Sequence, residues 1–160
     1  MELSEQPAQP ELTIRRATRE DVPHIVRMLA DDSLGSQRER YEEPLPQSYY
    51  AAFEEIDQEK NTELVVVELA GEVIGTLQYT LLPGLSYQGS RRAQVEAVRV
   101  DARFRSLGIG NQLMEWAIKR ARQQQCYVLQ LSTNKSRAAA HRFYQRLGFV
   151  ASHEGMKLEL

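Results

Sequence analysis

The junction at Arg105–Gly110 constrains the fold more than any other stretch of this chain, because an apolar segment leads into it and an amphipathic one leads out. The preceding segment, Gln94–Val100, carries three valines and predicts a buried strand. The following segment, Asn111–Gln125, predicts a helix with its apolar residues on one face: Leu113, Trp116, Ala117 and Ala121. A glycine-bearing turn between a strand and a helix leaves unpaired backbone N–H groups at the positive end of the helix dipole. The junction is therefore a candidate anion site, and phosphate is the usual anion there.

Two known phosphate-binding loops do not fit the spacing of this junction. A P-loop continues with lysine and then serine or threonine after its last glycine, whereas Gly110 is followed by Asn111 and Gln112. A dinucleotide-binding fingerprint has a third glycine at the position that Leu113 occupies here. The glycines also allow an interpretation without a ligand, in which the turn only lets the helix pack closely on the strand.

Composition narrows the classes of protein that this chain can represent. A length of 160 residues predicts one domain, and we divide it into a disordered tail over 1–11 and a domain over 12–160. The 20 basic and 22 acidic residues nearly cancel, so the chain has no general attraction to nucleic acid or to an anionic membrane. The single cysteine, Cys126, excludes a disulfide within the chain. No apolar run approaches membrane length, and we predict a cytoplasmic protein.

The other segments predict a mixed sheet flanked by helices. We expect a strand from Leu12, a helix ending near Ala30, a helix over Gln47–Gln58, hairpin strands over Glu63–Ala70 and Val73–Leu82 with their turn at Gly71-Glu72, a strand over Tyr127–Ser132, a helix over Ser136–Arg146 and a final strand over Phe149–Leu160. The front half is thus antiparallel, and a helical crossover makes at least one later pair of strands parallel. Where the parallel strands diverge, they would leave a cleft beside the glycine loop. The predicted fold class is α+β.

Two motifs resemble the signatures of the GNAT superfamily, the acetyl-CoA-dependent N-acetyltransferases. The first is the Arg-x-x-Gly-x-Gly sequence at Arg105–Gly110. The second has the spacing Asn-x5-Ala-x2-Phe-Tyr-x2-Leu-Gly-Phe over Asn134–Phe149. The resemblance extends to Arg15–Asp21 and the hairpin, and Leu131–Asn134 with Ala140–Tyr144 is similar to the aminoalkylphosphonate N-acetyltransferases. It implies a single-domain GNAT-like mixed sheet with the parallel pair at the cofactor cleft.

The resemblance also implies how acetyl-CoA binds, with no metal. Backbone N–H groups of the glycine loop would hold the pyrophosphate, main-chain groups of the preceding strand would bind the pantetheine arm like an added strand, and an asparagine would hydrogen-bond near the acetyl end. The predicted cofactor-binding residues are Val98, Arg99, Val100, Arg105, Ser106, Leu107, Gly108, Ile109, Gly110 and Asn134. The alternatives are an ordinary core strand for the valines and a turn-forming role for Asn134.

Transfer to an amine requires two further groups. An alkylammonium with a pKa of about 10.4 must lose a proton before it can attack. Glu96 is the candidate base, because burial of a carboxylate within an apolar strand would favour its taking up a proton; the alternative is an exposed glutamate paired with Arg99. Tyr144 is the candidate acid that protonates the leaving thiolate, and its alternative is an aromatic core residue. We read Cys126 as a small packed side chain and not as a nucleophile.

The predicted function is acetyl transfer from acetyl-CoA to a primary amine of a small molecule, directly within a ternary complex. The alternatives are an acetyltransferase that acts on a protein or peptide amine and a non-catalytic CoA-binding sensor module. Segments 31–49 and 83–92 are expected to build the acceptor pocket, and Arg91 and Arg92 either favour an anionic acceptor or are merely solvated. The predicted partners are acetyl-CoA and the amine, without nucleic acid or membrane, and a homodimer is left open.

Overall fold

A computed structural model describes residues 11–160. The five strands are β1 (Leu12–Arg16), β2 (Thr62–Leu69), β3 (Glu72–Pro83), β4 (Arg91–Val100) and β5 (Cys126–Leu131). The helices are α1 (Val22–Ala30), α2 (Gly35–Arg38), α3 (Gln47–Gln58), α4 (Ser86–Gly89), α5 (Ile109–Gln123) and α6 (Ala138–Arg146). Single 3-10 turns lie at Arg19–Asp21 and Ala102–Phe104.

The strands form one sheet in the order β1-β2-β3-β4-β5. The first four strands pair antiparallel, because short connections join β2 to β3 and β3 to β4. β4 and β5 pair in parallel, because the chain crosses between them through α5. The predicted α+β class with one parallel pair is confirmed.

The two faces of the sheet carry separate apolar clusters. One face packs against α5, where Leu77 of β3 and Leu113 of the helix are fully buried. The other face packs against α1 and α3, whose Val26 and Phe53 belong to the same buried cluster as Val66 of β2. Burial of each such side chain contributes about 1.5–3 kcal/mol, so both faces of β2 and β3 are strongly stabilised.

Local sequence signals explain most element ends, with two corrections. Asp21 accepts a hydrogen bond from the backbone N–H of Thr18 at 2.7 Å, so the predicted cap forms, although it closes a 3-10 turn that leads into α1. The hairpin turn lies at Ala70-Gly71 and not at Gly71-Glu72. Both residues have left-handed backbone angles, with φ of 49° and 80°, which match the twist of a two-residue hairpin.

The predicted final strand is wrong. Residues 150–160 form no strand or helix and are all exposed in the described part of the chain. The predicted tail over 1–11 falls outside the described residues except for Glu11. None of the helices within residues 11–160 is long and apolar enough to cross a membrane.

Candidate active site

A cleft opens where β4 and β5 stop pairing. Their hydrogen-bonded register runs from Arg91 opposite Cys126 to Val95 opposite Leu131. Beyond that point, Glu96–Val100 has no partner strand on its β5 side within residues 11–160. The free backbone groups along this edge can pair with an extended ligand, as a further strand would. The predicted divergence beside the glycine loop is confirmed.

A bulge in β4 shapes this edge, and sequence reasoning missed it. The segment Glu96–Arg99 lies opposite the shorter segment Thr76–Gln78, and Ala97 has a φ of 51°. Because of the extra residue, Val95 and Val98 both pack toward α5 although they are three positions apart. That spacing breaks the alternation of a regular strand and was the signal that could have revealed the bulge. The strand bends there, and the polar side chains at either end of the bulge lie on the face opposite α5.

The glycine loop presents open backbone donors. Ser106 and Gly108 both have left-handed backbone angles, with φ of 65° and 80°. The first helical hydrogen bond runs from Gln112 N to Gly108 O at 3.1 Å, and no backbone N–H from Arg105 to Asn111 has a backbone acceptor within the described chain. A β-carbon built on Gly108 would meet no atom within 4 Å. The loop therefore has both the donors and the space that a pyrophosphate requires.

Gly110, the second glycine of the loop, is required for a different reason. A β-carbon at Gly110 would lie 3.2 Å from Cζ of Phe143 on α6, so this glycine allows close packing between the loop and that helix. The two interpretations from the sequence thus apply to different residues: open donors at Gly108 and close packing at Gly110.

The side chain of Arg105 is half exposed and lies along the loop. Its Nε donates to the carbonyl oxygen of Val100 at 3.4 Å, and its guanidinium is 3.9 Å from the carboxylate of Asp31 at the end of α1. Such exposed contacts hold the side chain weakly. The guanidinium therefore stays available to a phosphate.

Asp101 anchors the start of the loop, and sequence reasoning missed it. Its side chain is buried and accepts hydrogen bonds from the backbone N–H of Arg103 at 2.9 Å and from the guanidinium of Arg27 at 3.1 Å. The hydrogen bonds from Arg103 lower the pKa of Asp101 to about 2. An aspartate directly after a strand and two residues before a turn donor was the available signal.

Tyr144 combines partial burial with an unpaired hydroxyl. Its ring meets Phe143 edge-on with centroids 5.1 Å apart and Phe149 with centroids 5.7 Å apart. No residue within 11–160 hydrogen-bonds the hydroxyl. Burial raises the pKa of Tyr144 above its ordinary value, and the positive charges of Arg99 and Arg137 act in the opposite sense. The phenol is therefore held in its protonated form at neutral pH.

Glu96 lies on the cleft strand but is exposed, so the expectation that it is buried is wrong. It stands opposite Gln78 in the register, before the bulge. Nor does it pair with Arg99, because the described chain contains no ion pair between the two. The carboxylate is therefore free for a ligand.

Arg99 is the half-buried charge of the cleft. Its Nη1 donates to the carbonyl oxygen of Val98 at 2.8 Å, while its Nε is buried without a hydrogen-bond partner in residues 11–160. Burial lowers the pKa of Arg99, the nearby Arg137 adds to that effect, and Asp32 opposes it. Arg137 and Asp32 form an ion pair with each other. The cleft thus holds a guanidinium that lacks a carboxylate of its own.

Asn134 forms a turn between β5 and α6. Its Oδ1 accepts from the backbone N–H of Ser136 at 2.9 Å and from the hydroxyl of the same residue at 2.7 Å. The turn-forming interpretation is therefore correct. The side-chain NH₂ has no partner within 11–160 and can still donate to a ligand, so the two roles are compatible.

Arg91 and Arg92 lie at the other end of β4. They donate to the backbone oxygen of Gln124 at 3.3 Å and to the side chain of Gln130 at 3.5 Å. The expectation that they meet an anionic acceptor in the cleft is not supported. Within residues 11–160, no group of three or more His, Cys, Asp or Glu side chains could hold a metal ion.

Comparison with known families agrees with this site. Residues 30–149 match the Acetyltransferase (GNAT) family. The chain therefore belongs to that family, as its two motifs predicted, and this assigns it to the acyltransferases.

Two curated relatives match part of the chain. An aminoalkylphosphonate N-acetyltransferase of Salmonella typhimurium is 36% identical over 83 residues, which cover 52% of this chain and 53% of the relative. A glucosamine 6-phosphate N-acetyltransferase of Trypanosoma brucei brucei is 26% identical over 99 residues, covering 62% of this chain and 65% of the relative. The chain thus matches about half to two thirds of the length of these relatives.

One solved structure matches nearly the whole chain. The crystal structure of a transcriptional regulator from Bacillus halodurans C-125 is 53% identical, with a TM-score of 0.90, and covers 94% of this chain and 100% of that one. The fold is therefore that of an experimentally determined structure.

Proposed function

We propose that this protein transfers an acetyl group from acetyl-CoA to a primary amine of a small molecule, directly within a ternary complex. The observation that carries the proposal is the hydroxyl of Tyr144, which has no hydrogen-bond partner within residues 11–160 and belongs to a residue whose neighbour Phe143 packs against the glycine loop. The Tyr144 oxygen is not buried, so water satisfies it in the free protein and a bound ligand can take the place of that water. The hydroxyl is therefore free to donate its proton to a ligand.

The residues of the cleft suit acetyl-CoA, which supplies the acetyl group as a thioester. The open N–H groups between Ser106 and Gly110, with Arg105, would bind the pyrophosphate. The unpaired edge at Val98 and Val100 would bind the pantetheine arm, and the NH₂ of Asn134 would donate to it. The main-chain groups of Leu107 and Ile109 would contribute to the pyrophosphate site, and those of Arg99 would contribute to the pantetheine site.

Glu96 and Tyr144 divide the proton transfers. Glu96 accepts a proton from the ammonium of the acceptor, directly or through water, and this frees the nitrogen lone pair that forms the new C–N bond. As the C–S bond breaks, the sulfur keeps the electron pair and takes the proton of the Tyr144 hydroxyl. The acylated nitrogen then loses its remaining extra proton, which passes through water to the Tyr144 oxygen and restores the phenol. The exposure of Glu96 suits this role, because an acceptor bound in front of it would displace the water around the carboxylate.

The charges of the cleft favour an acceptor that carries an anionic group beside its amine. Arg137 already pairs with Asp32, whereas Arg99 has a buried, unpaired Nε and no acidic partner within 11–160. A phosphonate, phosphate or carboxylate would supply the anionic partner that this guanidinium lacks. Both curated relatives have names that combine an amine with a phosphorus oxyanion.

A panel of amines tests the proposal through release of the CoA thiol. An aminoalkylphosphonate and the amino alcohol of equal length, which has the same amine but no anionic group, separate the role of the anion from that of the amine. We expect Arg99→Gln to raise KM for the phosphonate about 10-fold or more and to leave the amino alcohol unchanged. Arg92→Gln, at the far end of β4, is the matched control. Equal KM values for both amines in the wild type would contradict the anionic acceptor but not the transfer.

The second candidate is a regulatory protein that binds CoA without turnover, which the name of the 53% identical structure favours. Calorimetry with acetyl-CoA, combined with the amine panel, distinguishes the two. Binding with no thiol release for any amine, and for any protein or peptide amine, would support regulation. A cytoplasmic location belongs to the proposal as well.

A further inference from the structure

One ion pair connects the first helix of the fold with the last, next to the half-buried Arg99. Asp32, in the turn between α1 and α2, pairs with Arg137, the residue directly before α6. Each of the two side chains is only 22% exposed. Arg137 has no other acidic partner within residues 11–160. Because solvent screens such a pair only in part, its charges act strongly on whatever binds beside it.

The carboxylate of Asp32 is held in place by its own turn. It accepts a hydrogen bond from the backbone N–H of Gly35. A β-carbon on Gly35 would lie 1.9 Å from the carbonyl oxygen of Leu29 and 2.5 Å from Oδ1 of Asp32, so the turn closes on the carboxylate only with glycine there. Burial acts to raise the pKa of Asp32, but the hydrogen bond from Gly35 and the charges of Arg137 and Arg99 lower it. Asp32 is therefore a fixed anion at neutral pH, whichever way the Arg137 side chain points.

Two guanidinium groups share this one carboxylate. Burial lowers the pKa of Arg99, the charge of Arg137 lowers it further, and the charge of Asp32 opposes both effects. Arg38 adds a weaker repulsion, but it has a partner of its own in Glu39 at 3.2 Å. Two neighbouring cations with a single anion leave one positive charge without a counterion.

An oxyanion bound beside Arg99 would compete with Asp32 for Arg137. A phosphonate has three acceptor oxygens and carries about two negative charges, so it can accept from two guanidinium groups at once. The planar fork of an arginine faces one such anion at a time. Arg137 therefore has to leave Asp32 in order to bind a ligand.

We propose that Asp32 is an internal competitor of the acceptor's anionic group: when the acceptor binds, Arg137 turns from Asp32 to the ligand and binds its oxyanion together with Arg99. This inference rests on the anionic acceptor of the proposed function. It adds Arg137 as a residue that determines specificity, and it adds a carboxylate of the protein that weakens acceptor binding. Without a ligand, Asp32 offsets the repulsion between the two guanidinium groups.

Binding of methylphosphonate tests the exchange without a transfer step, because this compound has no amine. Calorimetry with and without saturating CoA separates binding in the cleft from binding at the glycine loop. Asp32→Asn removes the charge but keeps an oxygen for the N–H of Gly35, and we expect it to raise the affinity for methylphosphonate about 5-fold. Arg137→Gln should lower that affinity about 10-fold or more. In the Arg137→Gln background, Asp32→Asn should change the affinity by less than about 2-fold.

Glu54→Gln is the matched control, because it removes a carboxylate from an exposed ion pair with Arg19 and should leave the affinity for methylphosphonate unchanged. An unchanged or lower affinity in Asp32→Asn would overturn the competition. An equal gain in the Arg137→Gln background would overturn the exchange, since Asp32 would then act by repulsion alone. No binding of methylphosphonate to any variant would also overturn it. The predicted affinities with no thiol release from any amine would contradict the proposed transfer and leave this inference standing.

Discussion

The centre of the sheet and the elements that border the cleft differ in how completely they are covered. In β3, residues 73–77 and Tyr79 are all buried, because helices pack on both faces of the sheet. In β5 and α6, no residue is buried. The centre of the sheet can hold its structure from its own contacts. The elements that border the cleft carry the surface that a ligand would cover.

Stability should therefore reside in the covered part. Leu77→Ala removes a fully buried side chain between β3 and α5 and should lower the free energy of unfolding by about 2–5 kcal/mol. Leu107→Ala, in the exposed loop, makes the same chemical change and should alter it by less than about 0.5 kcal/mol. Urea denaturation of both variants measures the difference. Equal losses would mean that the loop is as well packed as the sheet.

Activity should respond in the opposite way. Glu96→Gln keeps the shape of an exposed side chain but cannot accept a proton, so kcat/KM should fall about 10²-fold or more with an unchanged melting temperature. In the wild type, log(kcat/KM) should rise with pH through the acidic limb. If kcat/KM of the variant falls by less than this and the acidic limb of its pH profile is unchanged, the base is water or another group.

Asp101 lies at the start of the glycine loop. Its replacement should lower the free energy of unfolding by less than Leu77→Ala does, and the loss should depend on pH. Its folded pKa of about 2 lies below the unfolded value, so its contribution to stability is complete above about pH 5 and is lost as the pH falls toward 2. Asp101→Asn should cost about 1–3 kcal/mol of unfolding free energy at pH 7, and the difference from the wild type should shrink between pH 5 and 2. Thermal unfolding across this range measures it. A difference in unfolding free energy that does not vary with pH would mean that the charge of Asp101 does not cause the stabilisation.

The sequence predicted the covered part well because its signals are local and agree with its packing. The alternation in β2 and β3 and the cap at Thr18–Asp21 depend on neighbouring residues. The hairpin turn was misplaced by one position because Ala70 adopts a left-handed angle that alanine seldom takes.

The cleft was predicted less completely because its geometry depends on distant contacts. The bulge at Ala97 turns Arg99 toward α1 and α2, and no local rule for strands gives that result. Glu96 appeared buried because its neighbours are apolar, although the cleft exposes it. The strand predicted over 149–160 is absent, because an alternation of apolar residues does not by itself supply the neighbouring strand that a sheet requires.

Tyr144→Phe tests the central claim most directly, since it removes one oxygen and little packing from a half-buried ring. We predict that kcat falls about 10²–10⁴-fold, while the melting temperature and the affinity for acetyl-CoA stay unchanged. The loss should shrink with an acyl donor whose thiol is more acidic, because a better leaving group needs less protonation. Turnover at the wild-type rate with the same acceptor would contradict the account and leave Tyr144 as a packing residue.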